Sequence, residues 1–213
     1  MKTFNNFISE AKEKSATFTF GRFNPPTTGH EKLVKKLLSV GRGTDVLLFS
    51  SHSNDKRKNP LNHRDKVKYL KKFFGKIVVD ANVRTVFEIC NFLQEKKYVN
   101  VNMVVGSDRV KEFEMLITKY NGVKARHGYY KFKNINIISA GERDPDADDV
   151  SGMSASKMRE FAEKGDFEGF KDGVPSKGKN LAKKLYDDIR KGMGINEGTL
   201  PQYMIEDLIT EGV

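Results

Sequence analysis

The sequence predicts an α/β protein: a doubly wound parallel sheet of five strands flanked by helices, with a helical extension at the C-terminal end. Three observations carry this. Short apolar runs alternate with segments whose apolar residues recur at helical spacing, the pattern of strand–helix–strand units. The run Val46-Leu47-Leu48-Phe49 is apolar throughout, as a parallel strand buried on both faces requires. Glycine or serine turns stand where helices open, around Gly21, Gly106 and Ser154.

In order, Thr17 to Phe20 alternates and reads as the first strand. Glu31 to Val40 reads as a helix, with Leu33, Val34, Leu37 and Leu38 on its apolar face. Between them lies Gly21-Arg22-Phe23-Asn24-Pro25-Pro26-Thr27-Thr28-Gly29-His30. Gly21 lets a backbone come close to a ligand, and the two prolines forbid helix and stiffen the loop. Gly29 and His30 fall in the first helical turn, where N–H groups and the helix dipole favour an anion. A histidine there can donate to a phosphate, or it can be a plain surface residue.

Asp45 to Phe49 is the second strand, followed by the polar loop Ser50 to Pro60. Ligands of open α/β sheets bind outside such strand ends. Lys56, Arg57 and Lys58 could meet phosphates there, or simply be solvated. Asn62 is a good cap for a helix over Arg64 to Phe74. Ile77-Val78-Val79 reads as a short third strand. Val83 to Glu95 reads as a helix with Val83, Val86, Phe87, Cys90 and Leu93 inward. Val101 to Val105 is the fourth strand and runs into Gly106-Ser107-Asp108-Arg109. The Asp108 carboxylate can accept from ribose hydroxyls or a substrate, or cap a helix over Arg109 to Tyr120.

Asn134 to Ser139 is the fifth strand. The acidic stretch Gly141 to Val150, with Asp144, Asp146, Asp148 and Asp149, lacks the pattern of a calcium loop and reads as a solvated loop or a lid. Ser151 to Arg159 opens a helix that runs to about Lys164, capped by Ser151 or Ser154. Its serine hydroxyls, Lys157 and Arg159 could converge on phosphate oxygens, or merely form an amphipathic helix. Phe167, Phe170 and Leu181 to Ile189 suggest further helices. The organisation expected is therefore an N-terminal peptide over 1–14, a main domain over 15–165, and an extension with a tail over 166–213.

The chain has 213 residues and a formal net charge of +10, which suits anionic partners. Its single cysteine, Cys90, excludes an internal disulfide and fits a reducing compartment. No run approaches a membrane span, and the N-terminus lacks the apolar core of a secretion signal, so a soluble, intracellular protein is expected. No Ser–His–acid triad, zinc-type His/Cys cluster or P-loop pattern is present. What remains is phosphoryl-type chemistry by positioning and charge neutralisation.

The stretch Gly21 to His30 resembles the first signature of the nucleotidylyltransferase superfamily, the HxGH class of Rossmann-like proteins. Thr27 stands where many members have the first histidine; phosphopantetheine adenylyltransferases are similar to this chain in having Thr there. Ser154-Ala155-Ser156-Lys157-Met158-Arg159 resembles the second signature, and Gly106-Ser107-Asp108 a further nucleotide-contact motif. The Ser-rich loop running into Asn59-Pro60-Leu61 is similar to the same region of archaeal-type nicotinamide-nucleotide adenylyltransferases.

The resemblance implies attack by an acceptor oxygen on the α-phosphorus of ATP or CTP, with pyrophosphate leaving. It implies His30, Lys157 and Arg159 as catalytic residues. Gly21, Arg22, Phe23, Asn24, Thr27, Thr28, Gly29, Ser154 and Ser156 would bind the nucleotide, and Ser50, Asn59, Gly106 and Asp108 the acceptor. Magnesium would be held mainly by the triphosphate, with no protein metal site. Adenylyl transfer to nicotinamide mononucleotide is the first expectation, and cytidylyl transfer to a phosphorylated alcohol the alternative. A non-catalytic phage-head or nucleic-acid-binding protein on the same fold is the alternative of another class.

Met1 to Ala11 resembles the capsid-targeting peptide of internal head proteins of large tailed phages, with Ile8-Ser9-Glu10 as a cleavage motif repeated in form at Ile209-Thr210-Glu211. A docking or frayed terminus is the alternative. The resemblance implies the host cytoplasm, or the phage head, as the location and head proteins as partners.

Overall fold

β1 (Ser15–Gly21) lies at the centre of the sheet because both its faces are apolar or satisfied. Ala16, Phe18, Thr17 and Thr19 are all fully buried. The alternation of Thr and Phe therefore does not mark a solvent face. Thr19 donates to the Val104 carbonyl at 2.8 Å and Thr17 shares a hydrogen bond with Thr44 at 2.8 Å, so burial costs these hydroxyls little. The computed structural model describes residues 13–141 and 153–195. The targeting-like peptide before them, Asp144 to Asp149, Ser151 and the C-terminal tail with Ile209-Thr210-Glu211 lie outside the described residues.

The other elements are α1 (Thr28–Val40), β2 (Asp45–Ser50), α2 (His63–Phe74), α3 (Val86–Glu95), β3 (Asn100–Val105), α4 (Val110–Lys119), β4 (Asn134–Ser139), α5 (Ala155–Lys164), α6 (Phe167–Asp172) and α7 (Ala182–Met193). Seven α-helices are thus present among the described residues. The strand order is β2-β1-β3-β4, and every pairing is parallel. Gly21 pairs with Ser50, so the β1 and β2 ends open at the same level.

The sheet has four strands, not the five expected. Gly75, at φ +72°, follows α2, and Gly75–Ile77 forms a 3-10 turn. Only Val78 then bridges Leu48, with the Val79 N–H on the Leu48 carbonyl at 2.9 Å, before polar Asp80-Ala81-Asn82 leads away. The β-branched triplet is too short to pair further. It still lies outside β2, where a doubly wound sheet places its third strand.

Helices cover both faces. α3 and α4 pack Ile89, Cys90, Leu93, Phe113 and Ile117 against one face, with Phe18 and Met103 of the sheet. α1 and α2 pack Leu33, Leu37, Val67 and Leu70 against the other, with Leu48 and Val104. Leu38, expected on the apolar face of α1, is 46% exposed. Cys90 is a core filler, its thiol pushed up to about 12 by burial.

The extension forms a third core on the far side of α2. Tyr69 and Phe73 meet Met158, Ala162, Phe170, Leu185 and Ile189 there. Tyr69 also donates to Asp188 at 2.6 Å. This packing fixes α5 against α2 and so fixes where the second signature points.

Candidate functional site

The glycine loop is held from several directions. Phe23 is buried at φ +47°, a left-handed conformation that costs a non-glycine residue of order 1–3 kcal/mol and persists only where surroundings hold it. Its ring folds back over Gly21, where a Cβ would stand 3.0 Å from Phe23 Cε2. The absence of a side chain at Gly21 thus makes room for an aromatic ring of the chain itself. The same ring packs on the His30 imidazole, with centroids 4.8 Å apart. The buried Asn24 side chain is bonded at both ends: Oδ1 accepts from the Leu61 amide at 3.0 Å and Nδ2 donates to the Leu61 carbonyl at 2.8 Å. This pins the loop to the entry of α2.

Thr27 caps α1 reciprocally. Its Oγ1 accepts from the His30 amide at 3.3 Å, and its own amide donates to His30 Nδ1 at 3.1 Å. An Nδ1 that accepts carries no proton, so the neutral ring is protonated on Nε2. The imidazole is thereby a donor held by its other nitrogen. Within the first turn the Thr28 amide donates to Gly173 of the extension at 2.9 Å. Among the described residues this leaves the Gly29 amide without an acceptor. A Cβ on Gly29 would stand 3.0 Å from the Met153 carbonyl, so glycine is needed where the segment before α5 crosses α1.

α5 opens beside this loop. Ser154 caps it by accepting from the Lys157 amide at 3.1 Å. Arg159 donates through Nη1 to the Asn24 carbonyl at 2.7 Å and through Nη2 to Ser156 Oγ at 3.0 Å. Burial first, and then the neighbouring Arg22 charge, lower its pKa from the ordinary value, against the pull of Asp55; arginine still stays charged. Ser154 and Ser156 therefore act first as a cap and as a holder of Arg159. The amides of Ala155 and Ser156 keep no acceptor among the described residues. His30, Phe23, Asn24, Gly29, Ser156 and Arg159 stand together, with Lys157 in the same turn. The two signatures, far apart in sequence, face each other.

The expected acceptor residues occupy the adjoining strand ends. Ser50 closes β2 with its Oγ 3.3 Å from His63 Nδ1, and the Ser51 amide donates to the Gly21 carbonyl at 2.9 Å. Buried Asn59 donates to Asp55 at 2.5 Å, and Asp55 accepts the amides of Lys58 at 2.6 Å and Arg57 at 3.1 Å. Gly106 is buried at the end of β3, with Asp108 exposed in the 3-10 turn Ser107–Arg109. Asp108 does not cap the following helix: α4 starts after Arg109 with no side-chain cap.

Sequence reasoning missed Lys66. It is fully buried on α2, and its Nζ donates to the carbonyls of Ser51 at 2.6 Å and Ser53 at 3.4 Å. The signal was its spacing: Lys66, Leu70 and Phe73 share one helical stripe. A hollow of about 600 Å³ beside α2, lined by Asn62, Arg64, Lys68, Lys71 and Asp80 among others, touches neither the α1 nor the α5 opening.

No group of three or more His, Cys, Asp or Glu side chains suited to a metal occurs among the described residues. No helix among them is long and apolar enough to cross a membrane. Comparison with curated proteins gives no significant match. The family model described as cytidylyltransferase-like matches residues 18–161, from β1 into α5.

Proposed function

The chain belongs to the cytidylyltransferase-like family, a nucleotidylyltransferase lineage, and we propose that it transfers a nucleoside monophosphate from a triphosphate to a phosphate-bearing acceptor. AMP from ATP and nicotinamide mononucleotide are the substrates we favour, because the Ser50–Leu61 stretch is similar to that of nicotinamide-nucleotide adenylyltransferases. The family's description keeps cytidylyl transfer to a phosphorylated alcohol as the second reading.

One observation carries the proposal: the Arg159 guanidinium donates to the Asn24 carbonyl at 2.7 Å, tying the second signature to the first. An acceptor phosphate oxygen attacks the α-phosphorus, and the bond from that phosphorus to the bridging oxygen breaks to release pyrophosphate. A phosphate acceptor is ionised near neutral pH and needs no general base. His30, protonated on Nε2, donates to the α-phosphate as charge builds, alongside the Gly29 amide. The Ala155 and Ser156 amides, Lys157 and Arg159 take the leaving phosphates. Magnesium, if brought with the triphosphate, would supply charge neutralisation there. The location that goes with this reading is the host cytoplasm, with the phage head as the alternative.

The test incubates the full chain with ATP or CTP and a panel of phosphate acceptors, and measures pyrophosphate release. Release that needs both an acceptor and His30 is the expected result. No release with any pair overturns the proposal.

A further inference from the structure

The connection from α4 to β4 lies at the N-terminal ends of the parallel strands, at the opposite end of the sheet from the candidate site. It runs over residues 120–133, where such connections usually take about two to six residues. From Lys119 to Lys133 the chain holds five cations and no acid. That is half of the formal net charge of +10, gathered in one short stretch.

Elsewhere exposed lysines have acids beside them: Lys164 pairs with Glu160, Lys171 with Glu168, Lys183 with Asp187 and Lys184 with Asp188. In this stretch only Lys133 has one, Glu13 at 2.7 Å. Lys119, Lys124, Arg126 and Lys131 are all exposed and make no ion pair among the described residues. Unbalanced like charge repels itself and works against the compact state. Simple solvation of a surface does not call for such segregation.

The connection is also a rigid mount. The Gly122 amide donates to the Tyr130 carbonyl at 2.8 Å, and Ala125 and Gly128 exchange bonds of 3.1 and 2.9 Å, which closes a hairpin with Arg126 at its tip. The His127 ring lodges against Phe87 and Tyr120, with centroids 4.7 Å away in each case, and Asn91 Nδ2 donates to the His127 carbonyl at 2.5 Å. The Lys131 amide is held by Gln94 Oε1 at 2.7 Å and the Lys133 amide by the Val99 carbonyl at 2.8 Å. Between Gln94 and Val99 in the chain stands Lys97, at φ +65°, a left-handed position after α3 that glycine would take more cheaply. Tyr129, between Arg126 and Lys131 in the chain, stays 45% exposed although every neighbouring turn is pinned.

We propose that this hairpin binds single-stranded nucleic acid, with Lys97, Lys124, Arg126 and Lys131 on phosphates and the Tyr129 ring stacked on a base. The cations alone would suit any polyanion. The uncovered ring among them selects a strand whose base faces are free, which a duplex does not offer. Phosphates and base faces are common to RNA and DNA. The surface lies away from both helix openings of the candidate site and does not depend on the transferase reading.

The probe is a labelled oligo-dT of about twelve nucleotides, titrated with the full chain by fluorescence anisotropy over a salt series. Log affinity is expected to fall linearly with log salt, by about 0.7 for each phosphate engaged. Lys124→Ala with Arg126→Ala should cut that slope by about 1.4. Tyr129→Ala should weaken binding about fivefold or more and leave the slope unchanged, while Tyr129→Phe keeps the affinity. Lys97→Gly should weaken binding and raise the urea midpoint, a split that damage to the fold does not produce. Lys183→Ala with Lys184→Ala, on α7, should leave the slope as it is. Absence of oligo-dT binding, an equal cut in slope from the α7 variant, or equal affinity for a duplex of the same length overturns the proposal. So do vesicles of phosphatidylserine and phosphatidylcholine that bind where oligo-dT does not, since they would give the surface to a membrane. Strand binding as described without pyrophosphate release would sink the transferase reading and keep this surface; release without strand binding would do the reverse.

Discussion

At the α1 opening the protein spends donors on itself: the Thr28 amide goes to Gly173 and the His30 amide to Thr27. At the α5 opening only the Lys157 amide is capped from within, by Ser154, while those of Ala155 and Ser156 keep no acceptor among the described residues. Two helix N-termini with similar caps therefore serve different ends. The first is a rigid mount for one imidazole. In the proposed reaction the second takes the leaving phosphates, with Lys157 and Arg159 beside it, while α1 gives only its Gly29 amide to the ligand. A helix N-terminus is a phosphate site only where its amides are left to the ligand.

The largest effect that tests this contrast is His30→Ala. Loss of one transition-state donor costs roughly 3–4 kcal/mol of barrier, a fall in kcat of a few hundredfold or more. Triphosphate affinity, measured by calorimetry, should barely change. Lost affinity with kcat intact would mean that α1 is the phosphate receptor after all. Arg159→Lys is the converse. It keeps the charge but loses the two-nitrogen grip on Asn24 and Ser156, and should weaken triphosphate binding about tenfold, as hydrogen bonds to charged groups are worth about 1.5–3 kcal/mol. An unchanged triphosphate KM would remove α5 from the site.

Much of this contrast was legible in the chain, but not all of it. Gly21 to His30 and Ser154 to Arg159 stand out because glycine, proline and capping residues impose local geometry whatever surrounds them. The limits follow from the same fact. Ile77-Val78-Val79 has strand chemistry, yet its neighbours leave it one bridge long. Thr17 and Thr19 look like a wet face, and only the pairing of their hydroxyls reveals a dry one. Lys66 hides because a lysine is ordinarily exposed, and its partners are carbonyls that carry no side-chain signature. The Gly173 carbonyl that takes the Thr28 amide belongs to the extension, and no local pattern predicts a partner so distant.

Removing the caps sharpens the difference on a smaller scale. Thr27→Ala and Ser154→Ala should each cost about 1 kcal/mol of stability in urea unfolding. Only Thr27→Ala also loosens the imidazole mount, so only it should lower kcat appreciably. Equal effects on kcat would mean that the two caps do one job.

The smallest effect concerns the latch between the extension and α1. Glu31 accepts from the Ser176 amide at 3.0 Å and from its hydroxyl, and pairs with Lys35 at 3.5 Å. Burial raises the Glu31 pKa, but the two Ser176 hydrogen bonds and Lys35 outweigh it, and the carboxyl lies below its ordinary value of 4.5. A depressed carboxyl pKa contributes stability that is present above the unfolded value and lost as pH falls through the folded one. Ser176→Ala removes the hydroxyl bond and should cost about 1 kcal/mol at pH 7. The gap between wild type and variant, read from thermal melts, should narrow as pH drops below 4.5 and the Glu31 carboxylate takes up its proton. A gap that persists at pH 3 would show that Ser176 acts through packing alone, and that the turn carrying the Gly173 carbonyl is set by the third core and not by the charge on α1.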